Sequence, residues 1–363
     1  MDLRQGFIQK FDWMLFLPVF LLGAIGLVAI YSTDLGEVTA DFANFKKQLL
    51  TFAVGIFFVF VIAALNYRQL KNGKNLLYFI GFLLLAGVLI FGKNIRGTTG
   101  WFYLGPFSFQ PVEIIKIILV IFLADYFARE GRRLFSFWDI IKSLIAVAIF
   151  IALVLYQPDL GSSIILFLAW AGMLIVSRVR KKHLIIILFA FFAVSLVSWF
   201  FILKDFQKDR ISVFTNPELD PLGAGYNIKQ SIIAIGSGGI FGKGLGFGSQ
   251  SQLRFLPEAH TDFIFALIAE EMGFVMVFFI IGLYTLFFYR ILKIAKDSKN
   301  DFNAYVAIGF LVVFLCETLI NIGMNIGLMP VTGIALPFIS LGGSSLISSF
   351  IMVGILESMR VRS

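Results

Sequence analysis

The segment Arg254-Phe-Leu-Pro-Glu-Ala-His-Thr-Asp262 runs without a break into Phe263-Ile-Phe-Ala-Leu-Ile-Ala-Glu-Glu-Met-Gly-Phe. Arg254, Glu258, His260 and Asp262 are therefore fused to the start of a membrane-type helix. Ionisable groups are expensive at a membrane boundary and mark functional sites there. A carboxylate beside positive charge suits one chemistry well: it takes a proton from a hydroxyl while a phosphate leaves. Asp262 is the candidate general base, with Lys243 and Arg254 bringing positive charge. The competing reading is a carboxylate that merely favours a helix dipole. The company of Glu258 and His260 weighs against it.

Other polar groups interrupt the apolar runs. Glu113 and Lys116 are three apart, so they share a helix face and form an intramembrane ion pair. Asp159, in Gln157-Pro-Asp-Leu-Gly161, either caps the next helix with Ser162 nearby or serves the site. Glu317, Asn321 and Asn325 repeat every four residues, a stripe that joins helices. Glu270 and Glu271 follow Asp262 by two to three turns, and at least one must face protein or water. The glycine run from Gly236 to Gly248 is not a nucleotide loop, because Lys243 is followed by Gly and no strand precedes it. A flexible loop and a backbone cradle for a lipid-linked diphosphate both fit it. His183 beside Arg180 to Lys182 reads as interfacial. No spacing suggests a metal site or a Ser–His–Asp arrangement, and the single cysteine, Cys316, reads as helix packing.

The elements that must position these groups are membrane helices. Of 363 residues, 59% are hydrophobic and 14% charged, a balance that only lipid can solvate. A net charge of +8 does not imply nucleic acid, because the basic residues sit in short clusters between apolar runs. A span needs roughly 20 apolar residues. Ten segments qualify: 13–31, 47–65, 75–92, 111–128, 139–156, 161–177, 183–202, 262–290, 303–328 and 337–357. The first reads as a retained span and not as a cleaved signal. Pro158 and Gly161 separate the fifth from the sixth. Loops at 4–10, 68–74, 129–133, 178–182, 290–299 and 360–362 are dense in Lys and Arg, while the opposite short loops carry only Lys46, Lys47, Lys93 and Arg96. Both termini are then expected in the cytoplasm. The expectation is an all-α polytopic membrane protein, a single membrane domain over 1–363 with ten transmembrane helices. Its one large extracellular loop, 203–261, carries a short amphipathic helix with Ile228, Ile232 and Ile235 on one face, lying on the membrane surface.

Six segments, in this order, resemble the SEDS family (shape, elongation, division and sporulation), and its RodA branch in particular. They are Phe109-Gln-Pro-Val-Glu-Ile-Ile-Lys116, Gln157 to Gly161, Asn216 to Tyr226, Ile235 to Gly244, Leu256 to Phe265, and Asn325 to Gly333 followed by Leu336 to Ser340 and Gly342 to Ser345. Val331-Thr-Gly333 looks like the elongation branch. There are departures: Val112 replaces a usual Ser, Gly100 stands before Trp101 where many relatives have Arg, Lys229 falls one turn from its expected place, and Ala335 and Leu341 replace Pro and Tyr. None touches Asp262.

The resemblance implies a ten-span peptidoglycan glycosyltransferase in the bacterial cytoplasmic membrane. It would polymerise lipid II on the outer face, with a class B penicillin-binding protein as crosslinking partner. The family's essential Asp falls on Asp262, its cavity positions on Glu113 and Lys116, and its external turn acid on Asp159. Asp262 would accept a proton from a sugar 4-hydroxyl, which attacks the anomeric carbon of the undecaprenyl-linked strand. Arg210, Lys243 and Arg254 are candidates for holding the leaving diphosphate. Glu258, His260 and Trp101 are further candidate substrate contacts. A cofactor is not expected, although a divalent cation on the diphosphate is compatible. Two other classes stand beside this one: a lipid II flippase, and a non-catalytic scaffold for the crosslinking enzyme.

Overall fold

The computed structural model describes residues 9–36, 42–95, 98–104, 107–130, 136–177, 179–180, 182–183, 185, 189, 200, 205–221, 223–253, 255–256 and 258–362. Seven described helices are long and apolar enough to cross a membrane: α1 (Trp13–Leu35), α2 (Ala43–Ala64), α4 (Lys74–Phe91), α6 (Phe137–Tyr156), α11 (Ile264–Asp297), α12 (Asp301–Asn325) and α13 (Gly343–Val361). The short α3 (Arg68–Asn72) precedes α4. Two more expected spans are helical, α5 (Pro111–Glu130) and α7 (Leu160–Val176). α5 carries Glu113, Lys116 and Asp125 and is buried along most of its length, so protein and not lipid surrounds it. The expected span at 183–202 falls almost wholly outside the described residues. The large loop contains α8 (Asp205–Thr215), a 3-10 turn (Pro217–Leu219), α9 (Ala224–Ser237) and α10 (Ser249–Gln252).

α5 lies at the centre, against α4, α6, α7, α12 and α13. Small residues let the helices approach each other, as they must where lipid gives no hydrophobic drive. A Cβ at Gly55 of α2 would stand 2.1 Å from the Phe350 ring of α13, and one at Gly309 of α12 would stand 2.5 Å from Val120 of α5. α6 ends at Tyr156 and α7 starts at Leu160, so the break at Pro158 is where the sequence places it. The last span starts later than expected. Residues 337–342 form a turn in which Phe338 has a φ of 66°, and the helix begins at Gly343.

One feature was absent from the all-helical expectation. Strands β1 (Lys93–Ile95), β2 (Thr98–Leu104) and β3 (Phe107–Phe109) form a small antiparallel sheet between α4 and α5. The Thr99 N–H donates to the Gln157 carbonyl at 3.3 Å, and Ser344 Oγ donates to the Ser108 carbonyl, also at 3.3 Å. The sheet is thereby tied to the α6–α7 turn and to the start of α13.

α11 is not straight. Gly273 has φ 73° and ψ −175°, which breaks the helix into 264–272 and 274–297. The Ala266 N–H donates to Oδ1 of Asn325, the last residue of α12. The Glu271 carboxylate accepts from Ser32 Oγ, in the last turn of α1, at 2.5 Å. Residues 266–271 therefore cross between two helix ends at one pole of the bundle. They do not descend into it as a straight helix would have required, and both Glu270 and Glu271 are buried there. The glycine run is built into the break. The amides of Lys243 and Gly244 donate to the carbonyls of Glu270 and Glu271, and those of Phe274 and Val275 donate to Gly239 and Ile240. Two backbones meet closely where α11 loses its own ladder. α9 packs against this half of α11 with Ile228, Ser231 and Ala234 buried, while Ile232 is half exposed. The packed face thus keeps Ile228 and Ile235 of the sequence pattern and adds the small Ser231 and Ala234 in place of Ile232.

Gly242→Ala should cost about 1–3 kcal/mol, the scale of a strained backbone position. Its φ is 79°, and a Cβ would stand 2.2 Å from the Glu271 carbonyl oxygen. Gly236→Ala, with open space around it, should be neutral or stabilising by about 0.5–1 kcal/mol. Thermal unfolding in detergent checks both, and equal melting temperatures would refute the packed-glycine account.

Candidate functional site

Asp262 sits in a turn that is fixed by its backbone. Glu258, at φ 56°, offers its carbonyl to the amides of Thr261 (3.1 Å) and Phe263 (3.3 Å). The carbonyls of residues 260, 261 and 262 are each held from outside. His260 O accepts from the Leu341 amide at 2.9 Å, and Thr261 O accepts from Ser340 Oγ at 2.7 Å. Asp262 O accepts from Asn325 Nδ2 at 3.0 Å and Asn321 Nδ2 at 3.2 Å. Asn321 Nδ2 also donates to the Ile334 carbonyl at 2.8 Å. The polar stripe on α12 therefore does join elements, and what it joins is the Asp262 turn. α11 begins after Phe263, its N-cap, which makes no side-chain capping bond. Asp262 is the residue just before that cap, near enough to the helix N-terminus for its carboxylate to feel the dipole, so the helix-end reading stands beside the catalytic one. The side chain is half-buried, and its Oδ2 lies 3.8 Å from where a Cβ on Gly333 would stand.

On the other side of the 331–334 segment lies the Asp159 turn. A Cβ at Gly161 would stand 3.1 Å from both the Thr332 carbonyl oxygen and Ile334. Asp159 caps α7, accepting from the Ser162 amide at 2.9 Å and from Ser162 Oγ at 2.7 Å. Gln110 Nε2 adds a contact at 3.3 Å. Removal from water pushes the Asp159 carboxyl above its ordinary value, against the opposing pull of the Ser162 hydrogen bonds and of Lys116. Trp101 is half-buried on β2, next to Gly100, where a Cβ would stand 3.4 Å from Gln157 Oε1.

Beneath lies an ionic cluster. Lys116 Nζ donates to Glu113 at 2.8 Å and to Glu317 at 2.5 Å, and Ser348 Oγ donates to Glu113 Oε2 at 3.0 Å. All four are buried. The pair expected from spacing is thus a triad tying α5, α12 and α13. The third member, Glu317, belongs to the same stripe as Asn321 and Asn325.

The remaining candidates are dispersed. His260 and Glu258 are half-buried in the Asp262 turn, and Glu258 Oε2 accepts from Thr261 Oγ1 at 3.1 Å. Lys243 is bound to Glu270 at 2.8 Å and to Ser249 at 2.9 Å. Its glycine-run amides serve α11, so neither a flexible loop nor an open anion cradle describes that segment. Arg210 is half-buried on α8, which packs on the 3-10 turn and on α9. Arg254 lies outside the described residues. Sequence reasoning passed over Gln48, Gln110 and Ser340 as site-building residues. Ser340 and Gln110 lay inside segments already singled out, while Gln48, which donates to the Ser340 carbonyl at 3.1 Å, gave no signal.

Lys116→Met should destabilise the fold by about 3–5 kcal/mol, because it strands two buried carboxylates. Thermal unfolding in detergent reads this, and an unchanged melting temperature would refute the triad. Asp159→Asn keeps an N-cap but removes the titration. A raised carboxyl binds more protons folded than unfolded, so it lowers stability as pH rises from the ordinary carboxylate range through its folded value. The Asn variant should therefore show a flatter decline in melting temperature across that window, and identical pH profiles would contradict the assignment.

Comparisons with known proteins identify the family and the fold. The family model described as "Cell cycle protein" (FtsW, RodA, SpoVE) matches residues 12–363. The peptidoglycan glycosyltransferase MrdB of Escherichia coli K12 is 38% identical over 343 residues, covering 94% of this chain and 92% of that protein. Stage V sporulation protein E of Bacillus subtilis is 36% identical over 357 residues, covering 95% of each. Among solved structures, the rod shape determining protein RodA of Thermus thermophilus matches with a TM-score of 0.73 at 29% identity, covering 96% of both chains. A chain from a peptidoglycan synthase complex that coordinates polymerization and crosslinking matches with a TM-score of 0.81 at 30% identity, covering 96% of this chain and 97% of that one. This chain belongs to the FtsW/RodA/SpoVE family of multi-pass membrane proteins.

Proposed function

We propose that this protein is a RodA-type peptidoglycan glycosyltransferase that polymerises lipid II for cell elongation and shape. The observation that carries the reading is the Asp262 turn. A half-buried carboxylate stands ahead of the helix cap, on a backbone whose carbonyls at 260, 261 and 262 are all held. Such fixation suits a base that must meet one hydroxyl in one geometry. The curated relatives' names, and the complex among the solved structures, support the same chemistry.

In the reaction Asp262 takes the proton of the 4-hydroxyl of an incoming lipid II. That oxygen forms a bond to the anomeric carbon of the growing strand. The bond from that carbon to the diphosphate breaks, and undecaprenyl diphosphate leaves with the electron pair. Positive charge at the diphosphate lowers the barrier. Lys243 is paired with Glu270; Arg210, Lys243, Arg254 and a divalent ion on the diphosphate are the candidate sources of that charge. The Asp262 pole would face outward from the bacterial cytoplasmic membrane, with both termini inside. The gathering of Lys71, Lys74, Arg129, Arg290 and Arg360 at the other pole supports this orientation. A class B penicillin-binding protein is the proposed partner. A flippase would need a polar path across the bilayer, yet Glu113, Lys116 and Glu317 are closed on one another.

Asp262→Ala, purified in detergent and supplied with lipid II, should lose glycan-strand formation by at least about 100-fold, the lower range for a general base. Its melting temperature should stay near that of the parent. Strand synthesis at the parent rate would sink the assignment, and an inactive parent protein would favour the flippase or scaffold readings.

A further inference from the structure

The pole opposite Asp262 holds a cavity of about 510 Å³ that the proposed chemistry does not use. It opens at the start of α1 and is lined by Lys10, Asp12, Trp13, Met14, Arg290 and Arg360, among others. Three cations thus stand beside two acids, Asp12 in the lining and Glu357 behind it, which leaves one positive charge in excess. Asp12 is engaged within the protein: it caps α1 through the Leu15 amide and pairs with Arg290. The Asp12 amide in turn donates to Glu357 Oε2 at 2.9 Å, which places a buried acid of α13 behind the cavity floor. Arg290 is mostly buried, and its Nε lacks a partner among the described residues. That N–H is sealed off from solvent, so it is the remaining exposed part of the Arg290 side chain, 11% in all, that lines the cavity.

The rim has a second character. Trp13 and Met14 are 51% and 55% exposed on the first turn of a spanning helix. Trp13 is set against Phe11, with ring centroids 5.0 Å apart, and Phe11 stacks on Phe60 at 5.4 Å. A fixed indole at a helix end belongs at the headgroup level of a bilayer. Basic side chains and exposed apolar ones on one rim match a phosphodiester whose acyl chains lie in lipid. They match a free phosphate less well, since it would use the cations and leave the apolar rim without a role.

We propose that this cavity is a binding site for the headgroup of an anionic phospholipid, held by Lys10, Arg290 and Arg360, with its chains running along Trp13 and Met14. The bound lipid would tie together α1, α11 and α13 at the pole away from the reaction. Basic pockets between membrane helices recognise anionic headgroups in this manner.

The test uses the full chain in detergent and follows melting temperature as lipid is titrated. Phosphatidylglycerol should raise it with saturation, phosphatidylcholine should not, and inorganic phosphate at the same concentration should not. K10Q and R360Q each leave the Asp12–Arg290 pair intact, and each should weaken phosphatidylglycerol about fivefold. Native mass spectrometry should show the same lipid retained by the parent and depleted in both variants. Stabilisation by phosphatidylcholine to the same extent overturns the proposal, because charge would not be read. So does equal stabilisation by inorganic phosphate, which would mark a soluble-anion site. Unchanged affinity in both variants places the lipid elsewhere and also overturns it. Should one variant fail to fold, the other carries the comparison.

Discussion

A carbonyl at the edge of a bilayer must find a donor, because lipid offers none. Much of this structure answers that demand for the six residues 258–263. Asn325 does most: it donates to the Asp262 and Asn321 carbonyls and accepts from the Ala266 amide. Ser340 donates to Thr261 and accepts from Leu336, while its own carbonyl is held by Gln48. The donors on 336–341 can serve only if that turn is itself rigid, and it contains Phe338 at φ 66°. A bulky residue in that region costs about 1–3 kcal/mol. Phe338 meets the rings of Phe287, Phe314 and Phe350 with centroids between 5.4 and 5.7 Å apart. At about 0.5–1.5 kcal/mol each, three such contacts are enough to offset the strain. The apolar core below the turn therefore sets the position of the carboxylate above it.

One face of α12 links two otherwise separate tasks. Glu317, Asn321 and Asn325 point the same way, so the face that anchors Lys116 also holds the Asp262 carbonyl. Lys116 alone would be intolerable at 5% exposure. With two carboxylates and Ser348 around it, the cluster is satisfied but gains little net stability. Its physical effect is registration: α12 cannot rotate or slide to present other residues to the Asp262 turn without breaking the triad. Glu113 and Lys116 thereby fix the register of the helix face that holds the Asp262 turn, and Lys116 also pulls on the Asp159 carboxyl.

Candidate site residues stood out in the sequence more plainly than the details of the shape. Asp262, Glu113, Lys116 and Asp159 stood out because an ionisable group is rare and costly among apolar residues. Most spans stood out because length and composition suffice to mark them. The Gly273 break did not, since one glycine in an apolar run looks like any other. Its consequence is large: Glu270 and Glu271, expected deep along a straight helix, lie at the pole beside Ser32 and Lys243. The sheet at 93–109 was missed because strands of three to seven residues carry too brief an alternation to separate from a loop. On α9 the pattern picked Ile228, Ile232 and Ile235; Ile228 and Ile235 do pack against the core, but Ser231 and Ala234 take fully buried places and Ile232 stays half exposed. Close approach favoured small side chains over hydrophobic ones, which a hydropathy pattern cannot anticipate.

The glycine run shows how one composition supports opposite physical roles. Clustered glycines suggest either freedom or an anion cradle, since both need bare backbone. Here Gly238, Gly242 and Gly273 each place backbone where a Cβ would come within 1.9 to 2.2 Å of another chain segment. The amides at 243 and 244 face the carbonyls that α11 releases at its break. These are the donors a phosphate would have used, and a helix end has taken them. Lys243 follows the same logic, because the acid it meets is Glu270, buried where the two backbones cross. A segment that resembles a ligand loop is instead the splice that lets α11 turn a corner. That corner brings the start of α11 across the pole, and with it the carboxylate of Asp262.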